Sequence, residues 1–226
     1  MGIVFVNIIV AIMGLLISCP MVAVMKKLSR EEKVFTKDFK KEMEFWPWVA
    51  VTTSFLWIAL LYLYGISELF FLYAFISVVL LMDVYTDIKA QIIPNSLNMV
   101  LFIAGLVYLY SKLVFDLNHG IDLLLGFFVG GGIFALIALF ALLVYRKEGM
   151  GLGDVKLMGA LGLLLGARNI FQVFILSFVI GAIVSVILLL TKIKKIDDYV
   201  PFGPFIVVAS IMTMFIPYTT MLGFFQ

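Results

Sequence analysis

The sequence predicts an all-α, polytopic membrane bundle of about eight transmembrane helices with both termini outside. Three observations carry this expectation. Hydrophobic residues make up 64% of the chain and charged residues 13%, about half the charged share of a soluble domain, and the mean hydropathy is +1.19. The apolar residues fall in blocks close to the roughly 20 residues needed to cross a hydrocarbon core, separated by short charged or turn-forming breaks. Finally, of the 16 Lys and Arg, only Lys112 and Arg168 fall on one side of the alternating loops, the asymmetry expected when positive loops stay inside.

The first block, roughly 2–25, carries no charge from Gly2 to Met25 and no small-residue cleavage pattern. It is expected to be a retained span rather than a signal peptide. A charged loop at 26–46 follows, and spans at 47–64 and 69–86 flank a break at Gly65. Pro94 halts the helical pattern, and Asn95 and Ser96 can cap the next span, 96–114. The span 121–145 contains Gly126, Gly130, Gly131 and Gly132, small residues that let membrane helices approach closely. The next block, 155–167, is short and follows a glycine-rich break. Irregular backbone of that kind is tolerated at membrane depth only where protein or a watery cleft surrounds it. Spans at 170–191 and 202–222 complete the count.

The basic loops 26–46, 87–95, 146–156 and 192–200 all share one side, expected to be the cytoplasm, so the chain reads as one integral-membrane domain over 1–226. Tyr and Trp residues near the span ends, Trp48, Tyr62, Tyr108 and Tyr110 among them, suit an interfacial belt. His119, the one histidine, is expected in a solvated external loop. The single cysteine, Cys19, excludes an internal disulfide and a cysteine-based zinc site. There is no nucleotide-binding glycine loop and no nucleic-acid patch beyond the positive-inside charge.

Most of the 14 acids lie in loops beside bases. Asp83, Asp87 and Asp154 instead fall at the predicted cytoplasmic ends of helices, where an ionisable group is costly and therefore a candidate for function. Asp83 and Asp87 are four residues apart and share a helical face. Asp87 and Asp154 belong to different hairpins but to the same cytoplasmic level, and two carboxyls brought together there cannot both ionise cheaply, so one holds a proton, and the pair supplies an acid and a base and titrates as a unit. The plainer alternatives are a helix-end Asp87 paired with Lys89 or water, and an Asp154 that caps a helix N-terminus. A proton-coupled transporter with relay acids is the rival function, although relay acids belong at the bilayer midplane.

Three stretches carry a resemblance to a known family. GMGLGDVKLMGALGLLLG, residues 149–166, resembles the GxGD segment of type IV prepilin peptidases, which are membrane aspartic proteases. DIKAQIIPN, residues 87–95, is similar to that family's Asp motif, which ends in hydrophobic-Pro-Asn. YVPFGPFIVVAS, residues 199–210, is similar to the Pro-Phe-Gly-Pro-Phe stretch at the start of the family's last helix.

The resemblance implies a leader peptidase of the inner (plasma) membrane, cutting pilin-like precursors of pilus or secretion systems at the cytoplasmic face. It makes Asp87 and Asp154 the catalytic pair. Gly151, Gly153, Pro94, Asn95, Pro201, Phe202, Gly203 and Pro204 then shape the site or bind substrate, with Gly151 and Gly153 allowing close backbone approach and an unusual turn. Asp83 is placed either to tune Asp87 electrostatically or to reach solvent. Lys156 is placed to tune the site, to pair with an acid or to snorkel to lipid phosphate. The partners expected are pilin-like precursors and the bilayer.

Neither a metal nor a cofactor is expected for proteolysis. Many relatives also methylate the new amino terminus, an activity associated with a larger first cytoplasmic region carrying CxxC pairs. The short loop at 26–46 has none, so S-adenosylmethionine is expected only if that second activity is retained.

Overall fold

The computed structural model describes residues 6–18, 46–145, 151–195 and 200–216. Within them the chain forms eight helices: α1 (Val6–Ser18), α2 (Trp46–Tyr64), α3 (Glu68–Ala90), α4 (Asn95–Phe115), α5 (Leu117–Tyr145), α6 (Leu152–Leu165), α7 (Ala167–Leu190) and α8 (Gly203–Phe215). No strand occurs among the described residues. Five helices, α2, α3, α4, α5 and α7, are long and apolar enough to cross a membrane, and the protein is a multi-pass membrane protein. Most of the expected loop at 26–46 lies outside the described residues.

The breaks follow local chemistry. α2 stops at Gly65, whose φ of 61° is the left-handed geometry that glycine adopts without penalty. Ser67 then starts α3 by accepting a hydrogen bond from Phe70 N at 3.3 Å. Asp116 does the same for α5, accepting from His119 N at 3.2 Å. Asn95 does not cap α4 as expected. Pro94 holds the N-cap position in extended geometry and no side chain caps. His119 likewise lies within α5 rather than in a solvated loop, with its Nε2 3.4 Å from the Tyr108 hydroxyl.

The chain divides after Ala90 into two compact units. In the first, α1 and α2 meet where Ser54 Oγ donates to Ala11 O at 3.1 Å. A side chain at Gly14 would collide there with Ser54. α2 and α3 are tied by Trp57 Nε1 donating to Ser77 Oγ at 3.2 Å. Leu60, Ile76 and Leu80 are fully buried.

In the second unit the short α6 is the core element. It packs against α4, α5 and α7, and every residue from Leu157 to Leu165 is buried. The seam with α5 is built from glycine. A Cβ on Gly126 would strike Gly162 O, one on Gly130 would strike Met158 O, and one on Gly131 would meet Gly159 Cα at 3.4 Å. Backbones this close need helices without side chains at the contact. Gly132 differs from its three neighbours, since a Cβ there meets nothing within 4 Å. Gly166, at φ 82°, turns α6 into α7 beside Asp122, where any Cβ would strike that carboxylate. α8 is fastened to α7 by Gln172 Nε2 donating to Ile216 O at 2.8 Å.

The seam gives a direct expectation. Gly162→Val forces α5 and α6 apart and destabilises the protein by about 3 kcal/mol or more, read as a lower Tm in detergent. Gly132→Ala leaves Tm near that of the parent.

Candidate active site

Asp154 is the third residue of α6. Gly151 is the N-cap, and Asp154 N donates to Gly151 O at 3.1 Å. The carboxyl is therefore a first-turn acid at the positive end of a helix dipole rather than the N-cap itself, and it is only 5% exposed. Neither glycine beside it adopts a strained backbone. Gly151 has φ −67° and ψ 137°, ordinary extended backbone, and Gly153 is helical. Among the described residues the unusual turn expected here is absent. Gly153 does pack closely on Ile93: a Cβ on it would lie 3.2 Å from Ile93 Cβ.

Two polar bonds then strap this segment to the start of α4. Asn98 Nδ2 donates to Gly153 O at 3.1 Å. Lys156 Nζ donates to Asn95 Oδ1 at 2.8 Å. Lys156 is thus engaged with the Pro94-Asn95 motif rather than with an acid, and Asn95 is an acceptor rather than a cap. Together, Ile93, Asn95 and Asn98 tie the Pro-Asn motif to the Gly-Asp motif, which lies some sixty residues on.

Asn98 was not among the residues singled out from sequence. It is 4% exposed, and its Oδ1 has no hydrogen-bond partner among the described residues. The signal was present, because Asn98 stands inside the predicted span 96–114, one turn after Asn95, where an uncompensated amide is expensive.

Asp87 belongs to the first unit. The expected span 69–86 extends as α3 to Ala90, so Asp87 is helical rather than a loop acid, and it is 4% exposed. Asp83, one turn earlier on the same helix, is 1% exposed, and neither of its carboxyl oxygens has a hydrogen-bond partner among the described residues. It does not reach solvent, which leaves the alternative of an acid close enough to Asp87 to bear on it. Thr86 Oγ1 between them is spent on the helix, donating to Met82 O and Asp83 O at 3.1 and 3.0 Å.

The Pro201–Pro204 stretch opens α8. Phe202 is the N-cap, Gly203 is buried and Pro204 sits in the first turn, where a missing N–H costs nothing. The Phe202 ring packs on Phe178, Phe134 and Phe205 at 5.1, 6.0 and 5.8 Å. A Cβ on Gly181 of α7 would meet Phe205 at 3.1 Å. The contacts of this motif are those of a helix anchor.

Helices of membrane-crossing length and buried carboxyls in two of the helices define a polytopic membrane protein with ionisable groups held out of water. A family model agrees. The chain belongs to the type IV leader peptidase family, whose model matches residues 73–186, a stretch that includes Asp83, Asp87, Asn98 and Asp154.

Curated relatives share a name, prepilin leader peptidase/N-methyltransferase. That of Xanthomonas campestris pv. campestris is 30% identical over 171 residues, covering 75% of this chain and 58% of the relative. That of Legionella pneumophila is 31% identical over 145 residues, covering 64% and 50%. That of Pseudomonas aeruginosa is 30% identical over 129 residues, covering 55% and 42%. The chain therefore spans about half the length of the curated relatives it matches. No solved structure matches the chain.

The strap makes Asn98 a positioning residue. Asn98→Leu leaves Gly153 O without its donor and costs about 1–3 kcal/mol, whereas Lys156→Met, at an exposed bond, costs about 1 kcal/mol or less. Thermal unfolding of the purified variants in one detergent compares the two.

Proposed function

We propose that the chain is a membrane aspartic endopeptidase that removes the leader of type IV pilin-like precursors, with Asp87 and Asp154 as its water-activating pair. The observation that carries this reading is the family match across residues 73–186, which takes in both acids. The burial of both carboxyls supports it, because a desolvated acid and base near one working pH are what the chemistry requires.

One carboxylate takes a proton from water as that water attacks the scissile carbonyl. The other, protonated, gives its proton to the carbonyl oxygen; when the gem-diol collapses, the first carboxyl passes the proton it took from water to the departing amine, and the second recovers its own from the gem-diol hydroxyl. No covalent intermediate forms and no cofactor is needed for this step. The strapped segment from Gly151 to Asp154 lowers the reorganisation that a carboxyl must undergo between substrate and transition state. Asp83 acts on Asp87 through their shared helix face, and Lys156, through Asn95, holds the Pro-Asn motif in register.

The excess of Lys and Arg in alternate loops supports a reaction at the cytoplasmic face of the plasma membrane. The substrate's apolar segment lies in the bilayer while its basic leader stays in the cytoplasm, so the cut falls at the boundary between them.

Asp87→Asn and Asp154→Asn, each nearly isosteric, are expected to lower cleavage of a co-expressed pilin-like precursor by about 10²–10⁴-fold or more at unchanged protein level, read by the mobility shift of the precursor. Wild-type processing in either variant removes that residue from the pair. The relatives' name also includes N-methyl transfer. This chain has no CxxC pair, and the amino terminus of the mature product is the test of whether that second activity is retained. Mass spectrometry that finds one added methyl group there assigns the second activity, and a use of S-adenosylmethionine, to this chain.

A further inference from the structure

The second unit contains an apolar groove of about 540 Å³ between α4, α5 and α6. Its walls are Met99 and Phe102 on one side and Phe127 and Phe128 on the other, with Gly131 and Gly132 between them and α6 behind. The volume falls within the roughly 300–1,000 Å³ of sites that bury compact apolar ligands, and the wall from Asn95 to Phe102 is about two helical turns, some 10 Å, long. The groove therefore fits one face of a short helical stretch.

Its two ends differ. One end is lined by Phe102, Phe127 and Phe128. The other is formed by Asn95, Asn98, Val155 and Lys156, the last two immediately following Asp154 in α6. There Asn98 Oδ1 is buried without a hydrogen-bond partner among the described residues, while its Nδ2 is used on Gly153 O.

The chemistry of that end selects an occupant. A buried amide oxygen needs a donor, which an acyl chain lacks. The first turn of an α-helix has up to four backbone N–H groups without intrahelical partners, and an apolar helix also supplies the hydrocarbon body that the walls require. We propose that the groove seats the beginning of the apolar helix that follows the precursor's cleavage junction, first turn towards Asn98, and that Gly132 sets how bulky the seated side chains can be. The proposal rests on the leader-peptidase reading. It adds the surface that holds the mature segment next to Asp154. Gly132 suits the role because it alone of the glycine cluster on α5 faces open space, so a side chain there enters the groove without disturbing the seam with α6.

The test uses the full chain in phospholipid vesicles and a synthetic precursor with a basic leader, a junction and an apolar helix. Benzophenone is placed at successive positions after the junction. Cross-links are expected in the fragments that contain Met99–Phe102 and Phe127–Gly132. Gly132→Phe is expected to raise KM about tenfold, equivalent to about 1.4 kcal/mol, whereas Leu136→Phe, on the exposed face of the same helix, does not.

Cross-links confined to other helices, or an unchanged KM in Gly132→Phe, overturn the proposal. So does a Gly132→Phe variant that loses a co-purifying phospholipid at unchanged KM, which marks the groove as a lipid site. A wild-type chain that cross-links in the groove but cuts nothing overturns the peptidase reading and upholds the groove. One that does neither overturns both.

Discussion

The second unit depends on two helix backbones coming close enough that no side chain fits between them. Gly126 and Gly130 on α5 lie against Gly162 and Met158 O on α6. Without a hydrophobic drive between helices in lipid, such contact supplies dispersion and weak polar attraction over a long seam. It places a helix of only 14 residues in the interior, and the interior position is what makes a glycine-rich break before it tolerable. Once α6 is fixed, Asp154 is fixed with it, and the bonds from Asn98 and Lys156 hold the remaining degree of freedom, the entry of the chain into the helix.

The same seam shows how one cluster of glycines performs two tasks. Three of the four on α5 are consumed by packing. The fourth is turned away by the helical period of about 100° per residue and leaves a gap between phenylalanines. Sequence alone marks all four as packing residues, because nothing local distinguishes Gly131 from Gly132. Only the direction of the partner helix separates them.

The spans were legible because each is a long apolar block with a turn signal at its end. Each of the eight blocks read from the sequence overlaps a described helix, and the outer parts of the first and last blocks, 2–5, 19–25 and 217–222, lie outside the described residues. The short sixth helix was legible as a buried element from its length and its preceding glycines. What the sequence left open was local hydrogen bonding. Asn95 looked like a cap, since Asn is a favoured cap residue, but Pro94 already occupies that position in extended geometry, and the amide of Asn95 is free to accept from Lys156. Asp83 was given an exit to solvent because it lies near a helix end, yet α3 continues to Ala90 and buries it. Gly151 and Gly153 were assigned conformational freedom, yet both have ordinary backbone, and only Gly153 is closely packed, against Ile93. Tertiary partners decide such matters, and a partner sixty residues away leaves no local trace.

The length of α6 has a further consequence. Fourteen residues rise about 21 Å, against roughly 30 Å of hydrocarbon. The Gly166 end is followed at once by Arg168, which is exposed and holds that end near one headgroup layer. If α6 stands along the bilayer normal, its other end, with Asp154, would stop about 9 Å short of the second headgroup layer. A water-soluble reagent for this carboxyl would then have to enter past the headgroups to reach it.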